Sequence, residues 1–118
     1  MTEGQHQAAI FKWSKTVRQK YPKLKLLHHI PNERKCSAVQ GANLKRRGVR
    51  RGVPDLHLPV AMGKYHSLYI ELKKEGEITT TDQDWWIDEL SAEGNYCEVC
   101  HGWESAIQVI EWYMNLKG

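Results

Sequence analysis

The sequence predicts an α/β fold (α+β mixed) in which a central mixed sheet is flanked by helices. Two short segments, 54–59 and 66–74, alternate polar with apolar residues, as strands with one buried face do. Segments with helical apolar spacing precede and follow them, and 118 residues is the length of one ordinary domain. We therefore expect a single domain over residues 1–118, in the order helix, strand, basic segment, strand, strand, helix, strand, helix.

The N-terminal elements are predicted from helical spacing and from turn residues. Ile10, Trp13 and Val17 recur at helical spacing, so a helix is predicted over 3–20, with Thr2 as its N-cap. A short strand is predicted over 24–30 and is closed by Pro31. The polar, glycine-punctuated stretch that follows is expected to hold a short helix over 37–47.

The C-terminal elements begin with a capping box. Thr80 and Gln83 have its spacing, with Thr80 as the N-cap of a helix that ends before Gly94. Residues 96–100 are predicted as a strand. The last helix, predicted over 103–116, buries either Tyr113 or Met114 with its other apolar residues. The two central strands are joined through 61–64 as a hairpin or short loop.

Composition limits the class of protein. With 41% hydrophobic and 26% charged residues, the chain has the balance of a soluble globular protein. No apolar run approaches the roughly 20 residues that cross a bilayer. The first residues lack the basic and apolar pattern of a signal peptide. We therefore expect a cytoplasmic protein.

The net charge of +3 is unevenly distributed along the chain. Seven basic residues and no acidic residue lie between positions 34 and 51, so the rest of the chain is net acidic. We call residues 34–52 the basic segment. Such a segment suits a polyanionic partner, and backbone phosphates of DNA are its expected target; the alternative is a solvated surface loop. Its basic residues are Arg34, Lys35, Lys45, Arg46, Arg47, Arg50 and Arg51.

Three ionisable side chains are predicted to meet on one face of the sheet. Asp55 follows a proline turn into the first central strand, and Glu71 and Lys73 lie two residues apart on one face of the second. Mg²⁺ prefers oxygen ligands and usually takes one or two protein carboxylates. Asp55 and Glu71 fit that number, with the main-chain carbonyl of Leu72 as a third ligand. Lys73 would orient or deprotonate an attacking water, which predicts a metal-dependent nuclease.

Each part of this pattern also has a plainer interpretation. Alternating charges on a strand face often only keep an edge strand soluble. Gln83 is explained by the capping box, and Glu3 by the favourable position of a carboxylate in the first turn of a helix. In the functional interpretation, the Gln83 amide reaches the site and holds a water or phosphate.

The same residues belong to a pattern that runs through nearly the whole chain and resembles the VRR-NUC branch of the PD-(D/E)XK nuclease superfamily, in its stand-alone phage or bacterial form. Arg51 stands at the family's frequent basic position, and Val53 stands where a small residue is often found. The matching positions are Glu3, Gln7 and Trp13, Ile30-Pro31-Asn32-Glu33, Gly48 and Gly52 before Val53-Pro54-Asp55-Leu56, Ile70-Glu71-Leu72-Lys73, Thr80-x-x-Gln83-x-x-Trp86, and Gly94.

The resemblance implies a restriction-endonuclease-like core and a hydrolase acting on DNA. It implies Mg²⁺ or Mn²⁺ held by Asp55 and Glu71, with Glu3 as a further candidate ligand. It also implies catalysis by Lys73 and supporting roles for Glu3 and Gln83. Stand-alone members are similar to homodimeric endonucleases that cut branched DNA such as four-way (Holliday) junctions, in bacterial or phage-infected cells.

A homodimer is also expected from substrate geometry, because symmetric cutting of a four-way junction needs two active sites. Trp85, Trp112 and Tyr113 are candidate interface residues if they are exposed.

Two further functions compete with the nuclease. One is a nucleic-acid-binding module without catalysis. The other is a zinc site formed by Cys97, Cys100 and two of the histidines at 28, 29, 57, 66 and 101. The segment 97–101 also has the spacing of a c-type haem attachment site, but strand alternation would place its two cysteines on opposite faces. With Cys36 the cysteine count is odd, so a disulfide framework is not expected.

Overall fold

The computed structural model describes residues 1–31 and 37–117 and confirms the predicted fold class, a four-stranded mixed sheet flanked by four helices. No helix in these ranges is long and apolar enough to cross a membrane. The elements are α1 (Glu3–Thr16), a 3₁₀ helix (Pro22–Leu26), β1 (His28–His29), α2 (Ala38–Arg46), β2 (Leu56–Leu58), β3 (Leu68–Lys73), α3 (Thr81–Ala92), β4 (Tyr96–His101) and α4 (Trp103–Met114).

The sheet has the strand order β1-β2-β3-β4. β1, β2 and β3 pair antiparallel, whereas β3 and β4 run parallel, joined by the crossover helix α3. In the β2–β3 ladder Leu56 pairs with Ile70, so the residue before Leu56 faces the residue after Ile70. This register places Asp55 across from Glu71. The predicted hairpin connection is present, with a bridge between Met62 and Tyr65.

The predicted helix starts are confirmed by their hydrogen bonds. Thr2 and Thr80 each accept a bond from the backbone of the third helical residue, and Gln5 and Gln83 complete the two capping boxes. Ser37 caps α2 in the same way. α1 ends at Thr16, four residues earlier than predicted.

The strand predicted over 24–30 is present only near its C-terminal end. Residues 22–26 form a 3₁₀ helix, and the strand is reduced to His28–His29. Pro22 fixes a φ suited to the first turn of a helix. Leu24 and Leu27, three residues apart, are buried while Leu26 is exposed, which is the spacing of a helical turn rather than of a strand.

The hydrophobic core lies between one face of the sheet and the helices α1 and α4. Its sheet side is formed by the alternate residues Leu68, Ile70 and Leu72 of β3. Tyr113, rather than Met114, is the buried residue near the end of α4, and its hydroxyl donates to the Val60 carbonyl at 2.6 Å. The opposite face of β3, with Glu71 and Lys73, is therefore left to face α3 and the candidate site.

Candidate active site

Asp55 is held in place from three sides just before β2 begins. Its main-chain carbonyl accepts a bond from the Ile30 N–H at 2.7 Å and lies 2.9 Å from His29 Nδ1. Its Oδ2 accepts from the Leu72 N–H at 2.8 Å, across the β2–β3 ladder. The side chain is 2% exposed. The carboxylate is thus fixed against β3 rather than free in solvent.

Glu71 is 1% exposed and points to the face of β3 that α3 covers. Gln83 donates from Nε2 to Glu71 Oε2 at 3.3 Å. The same amide uses Oε1 to accept the Thr80 N–H at 2.9 Å, as the capping box requires. Both interpretations of Gln83 therefore apply, because the cap fixes the amide oxygen and leaves its nitrogen facing Glu71.

Lys73 ends β3 and is 6% exposed. Its carbonyl accepts the Gly102 N–H at 3.0 Å, which holds the end of β3 against the end of β4. Asp55, Glu71 and Lys73 are all buried along the facing ends of β2 and β3. Buried charges are usually paired or coordinate a metal, because an isolated one is costly to desolvate.

The donors present fit a hard divalent cation. Two carboxylates supply oxygen ligands, and the Leu72 carbonyl lies on the Asp55 side of β3, because a strand residue directs its N–H and C=O to the same side. In the described parts of the chain no group of three or more His, Cys, Asp or Glu side chains is placed to hold a metal. Mg²⁺ can bind with only two protein carboxylates, since waters and phosphate fill its remaining coordination positions.

Glu3 lies in the first turn of α1 and is half-buried. His6, three residues later, accepts the Trp103 N–H at 3.2 Å through Nδ1. Trp103 follows Gly102, which bonds the Lys73 carbonyl. This chain of contacts brings the first turn of α1 to the end of β3. His6 was not predicted, since it is 97 positions from its partner.

The basic segment lies beside the site. Trp86 Nε1 donates to the Arg51 carbonyl at 3.0 Å, and Gly52 packs directly against Asp82 in the first turn of α3. The five basic residues from 45 to 51 are all exposed. Arg34 and Lys35 lie outside the described residues. The segment is therefore attached to the same helix whose Gln83 contacts Glu71, an attachment that the sequence did not indicate.

A row of aromatic side chains continues the site face of the sheet and was also not predicted. His57 stacks on Tyr69 with ring centroids 4.1 Å apart, and His28 meets His57 edge-on. Burial, and secondarily the charge of His28, lowers the pKa of His57, so this ring stays neutral near pH 7. The sequence did contain an indication of this row, since His57 lies two residues after Asp55 and Tyr69 two residues before Glu71, which places all four on one face of the strands.

The cysteines of β4 do not form a shared metal site. Cys100 is buried in the hydrophobic core, whereas Cys97 is half-buried and, three residues earlier in β4, lies on the opposite face of the strand. Burial raises the pKa of both thiols, that of Cys100 to about 12, which disfavours the reactive thiolate form. Cys36 lies outside the described residues.

The candidate interface residues divide into two groups. Trp85 and Trp112 are 55% and 46% exposed. Tyr113 is fully buried in the core, so it does not meet the condition of exposure and is not an interface candidate. The helix places it one position after Trp112, which turns its side chain toward the sheet.

Comparison with known proteins identifies the family to which the chain belongs. The VRR-NUC domain model matches residues 1–104. A solved structure described as a VRR_NUC domain protein superimposes with a TM-score of 0.83 at 36% identity, covering 99% of this chain and 91% of that one. A search of curated proteins finds no match. The chain therefore belongs to the VRR-NUC domain family and has its nuclease-type fold.

Proposed function

We propose that this protein is an Mg²⁺- or Mn²⁺-dependent endonuclease that hydrolyses DNA phosphodiester bonds, acting on branched DNA as a homodimer in the cytoplasm. The observation that carries the proposal is the burial of Asp55, Glu71 and Lys73 along the facing ends of β2 and β3. Three ionisable side chains kept from solvent are hard to explain by solubility alone.

Asp55 and Glu71 would hold the cation, together with the Leu72 carbonyl, and Glu3 is a further candidate ligand. When bound, the cation would neutralise phosphate charge and acidify a water. The Leu72 N–H fixes one Asp55 oxygen, and the Gln83 amide fixes one Glu71 oxygen. Both carboxylates are thus oriented before substrate arrives, which lowers the reorganisation that binding requires.

Lys73 is the proposed catalytic residue. Its ammonium, on the same face as Glu71, would orient the attacking water and stabilise the negative charge that develops on the phosphate. Arginine would serve as the base poorly at this position, because a guanidinium does not give up its proton. The Gly102 bond to its main-chain carbonyl fixes where this side chain starts.

The exposed basic residues 45–51 are the proposed contact with the DNA backbone, joined by Arg34 and Lys35 from the same segment. Trp86 and Gly52 hold this segment on α3, close to the carboxylates. A phosphate bound there would therefore lie near the scissile phosphate. Contacts of this kind position the duplex without reading its sequence.

Cleavage of labelled four-way junction, flap, single-stranded and plain duplex DNA tests the proposal. Wild-type protein should cut in the presence of Mg²⁺ or Mn²⁺, and chelator should stop it. Lys73→Ala and Asp55→Asn should lose at least about a hundredfold in rate while still binding DNA. Equal cutting by wild type and both variants would reveal a contaminating enzyme or a different site. If wild type and both variants bind DNA but none of them cuts it, the protein is a non-catalytic nucleic-acid-binding module.

A further inference from the structure

A groove of about 360 Å³ lies beside the candidate site, between the basic segment and α3. It starts next to Asp55, since Ile30 donates its N–H to the Asp55 carbonyl and Val53 precedes Asp55 by two residues. Trp86 of α3 forms another wall. The function proposed above uses Arg47 and Arg50 as contacts with the DNA backbone and gives the apolar and aromatic side chains of the groove no contact with DNA.

The groove combines three kinds of surface. Ile30, Val49 and Val53 are apolar, Trp86 offers an indole, and the two basic residues Arg47 and Arg50 are also among the lining residues. A nucleotide needs the same combination, because its base stacks on aromatic and apolar side chains while its phosphate pairs with a cation. The volume is at the small end of ligand sites, so a single nucleotide fits it better than a base pair.

The indole wall is fixed in position. Trp86 Nε1 donates to the Arg51 carbonyl, and Trp85 meets the Trp86 ring edge-on at 5.3 Å. Because Trp86 uses its only polar atom in that bond, what its ring offers the groove is apolar surface. A rigid aromatic wall binds a base at a low entropic cost.

We propose that this groove binds one unpaired nucleotide of the substrate strand, close to the phosphate cut at Asp55 and Glu71. The inference rests on the proposed nuclease function and specifies its substrate class. A base inside an intact duplex must unstack before it can enter, whereas a base at a flap or junction is already available. The groove would therefore favour branched DNA over plain duplex.

An abasic scan of the DNA tests this without altering the groove. Lys73→Ala protein, which should bind without cutting, is titrated with a flap substrate. The same substrate is then tested with each of the three unpaired nucleotides nearest the branch made abasic in turn. At one position the loss of the base should weaken binding at least about fivefold, the lower end of the range for base stacking. Equal affinity for all four substrates would overturn the proposal.

Two substitutions in the Lys73→Ala background locate the stacking partner. Trp86→Leu should remove the difference between intact and abasic DNA, while Trp86→Phe keeps most of it, since phenylalanine still stacks. Trp112→Leu on α4 is the matched control and should keep the full difference. A preserved difference in Trp86→Leu would overturn the assignment. If wild type fails to cut any substrate with metal, the nuclease function fails instead, whatever the scan shows.

Discussion

Among single residues, Gln83 shows most clearly how one side chain can serve both folding and the proposed chemistry. Its amide oxygen accepts the Thr80 N–H and its amide nitrogen donates to Glu71, so the two ends of the amide cannot exchange places. The helix start thereby sets the direction of a metal-ligand candidate. A substitution at this position should affect stability and activity by separate routes.

Replacing Gln83 with alanine should lower the cleavage rate about tenfold or more, as removal of a partner that orients a metal ligand usually does. It should also cost about 1 kcal/mol of stability, because part of the cap is removed. Thr80→Ala is the matched control, since it removes the Thr80 Oγ1 that accepts the Gln83 N–H but leaves the Glu71 contact. Thermal unfolding and initial rates measure the two effects. Equal activity losses in both variants would assign Gln83 to helix capping alone.

Some features of the site could be predicted from a short stretch of sequence, whereas others depend on contacts between distant residues. Asp55, Glu71 and Lys73 could be placed on one face from the sequence because strand alternation has a period of two. The contact between Trp86 and Arg51 joins positions 35 apart and depends on how the basic segment packs on α3. No pattern within either segment encodes that packing, so the sequence could not predict it.

Among the secondary-structure elements, the junction between the basic segment and α3 depends on one glycine. Gly52 has a φ of +92°, and a Cβ added there would lie 2.7 to 2.9 Å from Asp82 atoms, mostly of the backbone. Gly48 in the same segment has a φ of +99° with nothing within 4 Å. The two glycines thus share the backbone conformation and differ in what surrounds them.

Gly52→Ala should therefore displace the segment from α3, lower the DNA affinity and destabilise the fold, whereas Gly48→Ala should show only the roughly 1 kcal/mol effect of a left-handed conformation. Protease digestion around the segment and DNA binding measure the displacement. Similar behaviour of the two variants would mean that packing against Asp82 does not hold the segment.

The basic segment should also determine how binding depends on salt. Replacing its four central arginines with alanine should weaken binding and flatten the slope of log affinity against log salt by about 0.9 for each phosphate that the protein no longer neutralises. The variant changes Arg46, Arg47, Arg50 and Arg51 together. A control that removes the same charge from exposed lysines elsewhere changes Lys12, Lys15, Lys23 and Lys25. If both variants flatten the slope equally, only the net charge matters.

The element boundaries were predicted well where side chains cap the backbone and poorly where a proline starts a turn. Thr2 and Thr80 mark their helices by bonds within three residues. After Pro22, the spacing of Leu24, Leu26 and Leu27 in the sequence is compatible with both a strand and a helical turn. The burial of both Leu24 and Leu27 shows that the segment is a helical turn. Which leucines are buried depends on packing against elements distant in sequence, so a local sequence pattern cannot predict it.

For the molecule as a whole, the fold places the core on one face of the sheet and the proposed chemistry on the other. α1 and α4 pack on the apolar residues of β3, and α3 reaches the polar face through Gln83. The parallel pairing of β3 with β4 lets Gly102 hold the end that carries Lys73. Variants on the site face should thus leave stability less changed than core variants of similar size.

A homodimer is the remaining whole-molecule prediction. The proposed site can cut one strand, whereas a four-way junction cut symmetrically needs two sites related by a twofold axis. We expect light scattering to give twice the mass of one chain. Trp85 and Trp112, exposed on α3 and α4, are the candidate contacts, and aspartate at a contact position should give monomers.

Mixing variants tests whether the two sites act within one particle. A cruciform plasmid should be linearised by wild-type protein, because both strands are cut before release. With an excess of Lys73→Ala protein, most dimers that contain a wild-type chain would carry one inactive site, so nicked circles should replace linear DNA. Excess ovalbumin in place of the variant should leave the product unchanged. A single-chain mass, with linear product unaffected by the variant, would show that one chain cuts both strands alone.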